Sequence, residues 1–230
     1  AGFTDFQSVR VMKPSAAFLE HTDSSSGIGN RLGKFILVSG LIWIILACLA
    51  QGVIKDGIGL WGPTMIQDIY GVDAGTASFL LLFIPVMNFM GITLVGMIQR
   101  KRLLKEETLV VIMMVLSVFI LAGLRVFMGK SLAAGVLLLG GVSAVMYGVN
   151  TILLGVFPLR FARANRASFV SGLLDFCSYV AAGLSSVFSG LVIQLGLGWN
   201  SVFLVWLVLT VMGVGALGVF GWKYKAQTGR

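Results

Sequence analysis

The stretch QGVIKDGIGLWGP, residues 51–63, decides how the rest of the chain is interpreted. It follows residues 35–50, which contain no charged side chain. It then places Lys55 and Asp56 side by side, ahead of three glycines and a proline. A charged pair is ordinary in water and costly in lipid, so its meaning depends on the solvent around it.

The composition identifies that solvent as lipid. Hydrophobic residues make up 57% of the 230 residues and charged residues 11%, whereas soluble domains carry roughly 25% charged residues. The mean hydropathy is +0.97, and a soluble fold of this length does not bury so much apolar surface. We therefore predict an integral membrane protein in a lipid bilayer. The net charge of +8 then belongs to basic loops and not to a nucleic-acid site, because no aromatic residues interleave with the basic ones.

The apolar runs are continuous, which predicts an all-α fold and not a barrel of alternating strands. Six runs are long enough for a span of about 20 residues. We place them at 35–61, 74–98, 107–128, 131–157, 167–195 and 200–222. The chain then divides into a leader at 1–33, a six-helix transmembrane domain at 34–223 and a tail at 224–230.

The basic residues predict the orientation of these spans. Two lie in connections on one side, Arg125 and Lys130. Twelve lie at the ends that share the other side: Arg31, Lys34, Arg100, Lys101, Arg102, Lys105, Arg160, Arg163, Arg166, Lys223, Lys225 and Arg230. Because cytoplasmic loops are enriched in Lys and Arg, we expect both termini in the cytoplasm. The location is then the inner or plasma membrane, crossed several times.

Polar side chains inside the spans are costly in lipid and face protein or water, so they are the candidates for a binding site. Lys55 is expected to attract an anion, Tyr147 and Asn150 to donate hydrogen bonds, and Asp175 to carry a proton or to hold helices together. The candidate residues are Gln51, Lys55, Tyr147, Asn150, Tyr179 and Asp175.

Lys55 also has a plainer interpretation. Counted from Lys34, Lys55 lies about 32 Å along a helix, near the outer face, where it can be an anchor beside Trp61. On this count Lys55 and Asp175 differ in depth by about 18 Å, which argues against an ion pair between them. Asp56 points about 100° away from Lys55 around a helix and is expected to cap or pack locally.

Glycine and proline at the end of the first span predict a gate. Gly57, Gly59 and Pro63 are expected to let this end bend or unwind, since irregular backbone at membrane depth is tolerated where it lines a cavity. Spans one, two, four and five carry polar residues, whereas three and six do not and are expected to face lipid or to be structural. The order polar, polar, apolar therefore occurs twice.

Three stretches carry a resemblance to a known family. They are KDGIGLWGPTMI at 55–66, GMIQRK at 96–101 and NRASFVSGLLDFCSYVAAGLSS at 165–186. Together they resemble the C-terminal half of a major facilitator superfamily transporter, most of all the organophosphate:phosphate antiporters, which include glycerol-phosphate and hexose-phosphate transporters. The resemblance covers roughly residues 34–225 and implies helices seven to twelve of twelve, built as a three-plus-three repeat. The implied partner is an N-terminal six-helix half.

The resemblance implies secondary active transport by alternating access, as an antiporter or symporter without a cofactor. The solute is a small anionic organic molecule such as a sugar phosphate or an organic acid. The family's phosphate-holding arginine on helix seven corresponds to Lys55, which keeps the charge and lacks the bidentate fork. Arg100 stands where the superfamily signature between helices eight and nine has an aspartate.

Other functions remain alternatives. The same fold can sense a solute without transporting it, or the chain can be a half-transporter without activity of its own. An enzyme is not expected, because the serines of GLSS at 183–186 need a histidine base and His21 in the leader is the only histidine. Cys48 and Cys177 lie in apolar runs without CxxC spacing and predict packing, with no disulfide or metal.

Overall fold

The computed structural model describes Ile36 and residues 39–228, with side chains for all of these except 163, 164 and 223–228. The predicted leader 1–33 and the last two residues of the predicted tail lie outside the described residues. Every element in the described part is helical. The α-helices are α1 Leu41–Tyr70, α2 Ala74–Leu81, α3 Phe83–Arg100, α4 Glu106–Phe127, α5 Leu132–Asn150, α6 Ala167–Gln194 and α7 Gly198–Thr228. A π-helical turn at Thr151–Val156 and a 3-10 helix at Phe157–Ala164 extend α5.

Six helical stretches are long and apolar enough to cross a membrane. They are Leu41–Tyr70, Ala74–Arg100, Glu106–Phe127, Leu132–Ala162, Ala167–Gln194 and Gly198–Trp222. The second consists of α2 and α3, and the fourth of α5 and its extension. The predicted all-α class of membrane protein and the count of six are confirmed at this level.

Two predicted boundaries are wrong. The first span ends at Tyr70 and not at residue 61, because Pro63 is accommodated inside α1 and the left-handed Gly71 ends the helix, its N–H donating to Gln67 O. Proline is tolerated in membrane helices where neighbouring helices satisfy the freed backbone groups. The fourth span passes residue 157 and continues helically to Ala164.

The first and fifth spans run in the same direction. Trp61 Nε1 on α1 donates to Ser186 Oγ on α6 at 3.2 Å, and Gly52 lies against the backbone of Ser178. Residue numbers therefore rise together along both helices. This is the direction expected when six spans cross alternately and the first and fifth are both odd-numbered.

Hydrogen bonds between spans join the helix ends near Tyr70. Tyr70 Oη, at the end of α1, donates to Ser131 O before α5 at 3.0 Å. Trp199 Nε1, at the start of α7, donates to Asp68 Oδ2 at 2.9 Å. These contacts also agree with alternating directions, since an ending helix meets the beginnings of two others.

Helix α1 is the centre of the bundle: it packs against α5, α6 and α7, and 67% of its most apolar 18-residue stretch is buried. In the same measure the second and fifth spans are the most exposed, with 22% and 28% of the 18-residue stretch buried, against 39% for the third and sixth. The expectation that the third and sixth spans face lipid or are structural stays a prediction. The second span exposes large apolar side chains such as Phe79 and Phe89, which the polar-residue count overlooked.

Candidate functional site

Lys55 lies at the midpoint of α1, about 21 Å from either end at 1.5 Å per residue. Its side chain is 7% exposed. The helix runs from Leu41 to Tyr70, so Lys55 is central in α1, and its predicted depth near the outer face of the membrane stays a prediction. The alternative interpretation as an anchor beside Trp61 also stays a prediction.

Asp56 is the counter-ion of Lys55. Lys55 Nζ lies 2.5 Å from Asp56 Oδ1, with the two side chains 7% and 18% exposed. The other carboxylate oxygen of Asp56 is buried and has no hydrogen-bond partner among the described residues. The expectation that Asp56 points away is wrong, because the long lysine stem folds back across the angle between neighbouring Cβ directions.

Two tyrosines from other helices face the Lys55 ammonium. Its Nζ lies 5.2 Å from the ring centroid of Tyr147 on α5 and 5.3 Å from that of Tyr179 on α6. Both distances fall within the range of about 6 Å in which a ring attracts a cation. The structure therefore brings together three predicted site residues from three spans.

Gln51 lies one helical turn before Lys55 and is fully buried. Neither its Nε2 nor its Oε1 has a hydrogen-bond partner in the part of the chain that the structure describes. An unpaired buried amide costs roughly 1–3 kcal/mol, so such groups are rare in native interiors. Gln51 thus offers a donor and an acceptor beside a buried cation.

The other two candidates lie at the margin of this cluster. Asp175 is exposed, one turn before Tyr179 on α6, and has no ion pair with any residue in the described ranges. The predicted depth difference of about 18 Å from Lys55 is too large, because Tyr179 faces Lys55 and lies only about 6 Å along α6 from Asp175. Asn150 is half-buried where α5 passes into the π-helical turn.

Helix α1 runs continuously through the predicted gate residues. A Cβ on Gly57 would lie 2.7 Å from Trp206 Cζ2, so this glycine permits close packing between α1 and α7. A Cβ on Gly59 would meet no atom within 4 Å. Pro63 lies inside the helix. A hinge at Gly57, Gly59 and Pro63 stays a prediction.

A close approach of α1 and α6 supports the cluster, and sequence reasoning missed it. A Cβ on Gly52 would overlap the carbonyl oxygen and hydroxyl of Ser178. Small residues allow membrane helices to approach in this way. Because Gly52 and Ser178 each lie within one turn of a cluster residue, this contact helps to set the separation of Lys55 and Tyr179. The facing small residues were the available signal.

A second charged cluster, also missed from sequence, joins α4 to the extension of α5. Arg160 is 6% exposed, and its Nη1 and Nη2 lie 2.7 Å from Glu107 Oε1 and 3.0 Å from Glu106 Oε2. Its guanidinium also lies 4.4 Å from the ring centroid of Phe157. The sequence had placed Arg160 in a basic connection, and the acidic pair at the start of α4 was the signal for its true partners.

Both cysteines lie within membrane-spanning helices. Cys48 and Cys177 are free thiols. No three His, Cys, Asp or Glu side chains gather into a metal-binding group within the described ranges.

No protein-family model, curated protein or solved structure matches this chain. Its function is therefore argued from the cluster around Lys55.

Proposed function

We propose that this chain is one six-helix half of a major facilitator-type secondary transporter, and that Lys55 binds a small anionic organic solute. The observation that carries the proposal is a buried ammonium at the midpoint of an apolar helix, facing Tyr147 and Tyr179 and one turn from the unpaired amide of Gln51. An anion would find there a charge, two hydroxyl-bearing rings and an amide.

A structural role explains this lysine poorly. A charged residue near the centre of a bilayer costs roughly 2.5–3.5 kcal/mol on the insertion scale. The ion pair of Lys55 is with its own neighbour on α1, so it joins no two helices. Its contacts with other helices are the cation–π contacts with Tyr147 and Tyr179, which contribute less than the burial of the charge costs, so a ligand explains this lysine better.

The exposed face of α6 supports a partner half. Asp175 and Tyr179 are exposed in the interior of the fifth span, and lipid would penalise the carboxylate. Protein or water therefore covers this face in the membrane. An N-terminal six-helix half would provide both, with the solute path running between the halves and Lys55 beside it. The three-plus-three repeat belongs to the same proposal.

Location and coupling follow from the same features. The connection with Arg100, Lys101, Arg102 and Lys105 is on the cytoplasmic side in this proposal, and so are both termini. The membrane is the inner or plasma membrane. The solute is a sugar phosphate or an organic acid, exchanged for phosphate or carried with a coupling ion.

The test is uptake by the full-length gene product in proteoliposomes, using radiolabelled organic phosphates and organic acids with internal phosphate or a pH gradient. Lys55→Met should lower the apparent affinity about 10- to 100-fold, because it removes charge-assisted hydrogen bonds to the anion. Lys130→Met is the matched control, since Lys130 is exposed in a connection and its Nζ lies 5.9 Å from the ring centroid of Phe127.

Equal loss in the two variants would contradict the anion site. If the protein binds the solute through Lys55 but does not take it up, a sensor of the same fold is favoured. If the full-length protein shows no binding and no uptake, the transport proposal is contradicted. The chain would then be a half-transporter without activity.

A further inference from the structure

Asp56 is already paired with the ammonium of Lys55, which is the cation that the solute would bind. It forms the ion pair of Lys55, through Oδ1 at 2.5 Å. Its Oδ2 is buried and has no hydrogen-bond partner among the described residues. A solute anion that approaches Lys55 therefore meets a carboxylate already seated there.

Two carboxylates against one ammonium would leave an uncompensated negative charge in a buried site, which is strongly unfavourable. Protonation of Asp56 removes that charge. The empty site contains an ammonium and a carboxylate, and the loaded site contains the ammonium, a solute monoanion and a neutral carboxylic acid. Both states are then electrically neutral.

We propose that Asp56 is the exchangeable counter-ion of Lys55. A solute monoanion replaces Asp56 at the ammonium, and Asp56 then takes up one proton from water. The inference rests on the function proposed above and deepens it, because it names the coupling ion and the charge of the solute. One O–H bond forms at Asp56 on loading and breaks on release. One proton accompanies each anion, and the step carries no net charge.

The other ionisable groups around Asp56 are few. The helices packed against α1 are α2, α5, α6 and α7. Helix α5 contributes Tyr147, and α6 contributes Asp175, Cys177 and Tyr179. Helix α2 and the described side chains of α7, up to Trp222, contain no ionisable group. Asp175 is therefore the other carboxylate able to carry the proton, and it is the natural control.

The position of Gln51 defines the solute further. Gln51 lies four residues before Lys55, about 6 Å along the helix. Both atoms of its amide are unpaired in the described structure. The solute should therefore carry one negative charge and, within reach of Gln51, a hydroxyl or amide group. Hydroxy acids and singly charged sugar derivatives have this arrangement.

The experiment measures binding of gluconate and of glucose 6-sulfate to the intact full-length protein in nanodiscs, by calorimetry at several pH values. Both probes stay monoanionic between about pH 5 and pH 9, so any pH dependence belongs to the protein. Where Asp56 is ionised in the empty site, the dissociation constant should rise about tenfold per pH unit. Calorimetry in buffers of different ionisation enthalpy should report one proton taken up per anion.

The variants separate this inference from the function that it rests on. Asp56→Asn should make binding independent of pH, while Asp175→Asn should keep the wild-type slope. A slope that persists in Asp56→Asn, or that disappears in Asp175→Asn, overturns the exchange at Asp56 and leaves the anion site standing. Equal affinity in the wild type and Lys55→Met overturns the anion site itself.

Two further results are decisive without a well-folded Asp56→Asn variant. Zero protons taken up by the wild-type protein overturns the exchange, whatever the variants do. Failure of both probes to bind the wild-type protein overturns the proposed solute class, and with it this inference. Asp56→Glu keeps a carboxyl group and should retain the slope if the exchange operates.

Discussion

Lys55 and Arg160 are buried to the same degree, at 7% and 6% exposure, and yet they have different partners. Lys55 has one counter-ion, its neighbour Asp56 on the same helix. Arg160 has Glu106 and Glu107, which both belong to a different helix. Burial of a charge alone therefore does not distinguish a ligand site from a structural link. The helices that supply the counter-ions do.

The Arg160 cluster has the properties of a structural link. The two glutamates lie in the first turn of α4, where the helix dipole favours negative charge. Their two separate bonds use both terminal nitrogens of the guanidinium, and Phe157 faces its plane. The cation is thus committed to joining the third and fourth spans, and it leaves little for a ligand to bind.

The largest expected effect breaks this link. Arg160→Met should lower the free energy of unfolding by about 3 kcal/mol, because it leaves two partly buried carboxylates beside each other without their cation. The double change Lys55→Met/Asp56→Asn should cost less than about 1 kcal/mol, because both charges leave together. Denaturant unfolding in detergent measures the two. If the double change Lys55→Met/Asp56→Asn lowers the free energy of unfolding as much as Arg160→Met does, the distinction between the clusters is refuted.

A smaller effect tests the packing that supports only one of the clusters. Gly52→Ala should destabilise the protein by about 2 kcal/mol and weaken solute binding, because the added methyl group overlaps Ser178 and pushes α6 away from Lys55. Gly59→Ala is the matched control, since its methyl group meets no atom within 4 Å and alanine favours the helix.

Both variants should leave the Arg160 cluster intact, which protection of the α4 amides in hydrogen exchange can report. A Gly59→Ala variant that folds normally and loses transport would instead support the predicted hinge. Equal loss of binding in Gly52→Ala and Gly59→Ala would contradict the role of the close approach.

Sequence reasoning identified the six spans and four members of the Lys55 cluster, Gln51 among them, for a physical reason. Lipid makes apolar runs long and polar residues inside them rare, so Lys55, Tyr147 and Tyr179 are conspicuous in the sequence. These residues meet at one site if the polar faces of α1, α5 and α6 point towards each other. The family resemblance adds the expectation of a major facilitator transporter, which stays a proposal.

The misplaced features depend on geometry that composition does not contain. The end of the first span was misplaced at residue 61, whereas α1 accommodates Pro63 and continues to Tyr70. The pairing with Asp56 was missed because Cβ directions ignore the reach of a lysine side chain. Arg160 was counted as a loop charge because a solvated arginine and a buried one look alike until the helix around it is known to continue.

The smallest expected effect concerns the tyrosine rings, which the Arg160 cluster does not have. Tyr179 is 60% exposed, and a cation–π contact at an exposed site contributes about 0.5–1 kcal/mol. Tyr179→Leu should therefore weaken the affinity for the anion about two- to fivefold, whereas Tyr179→Phe, which keeps the ring, should change it less. If Tyr179→Phe weakens binding as much as Tyr179→Leu, the hydroxyl and not the ring face contacts the solute. The cation–π contact would then serve only to position Lys55 while Asp56 is its partner.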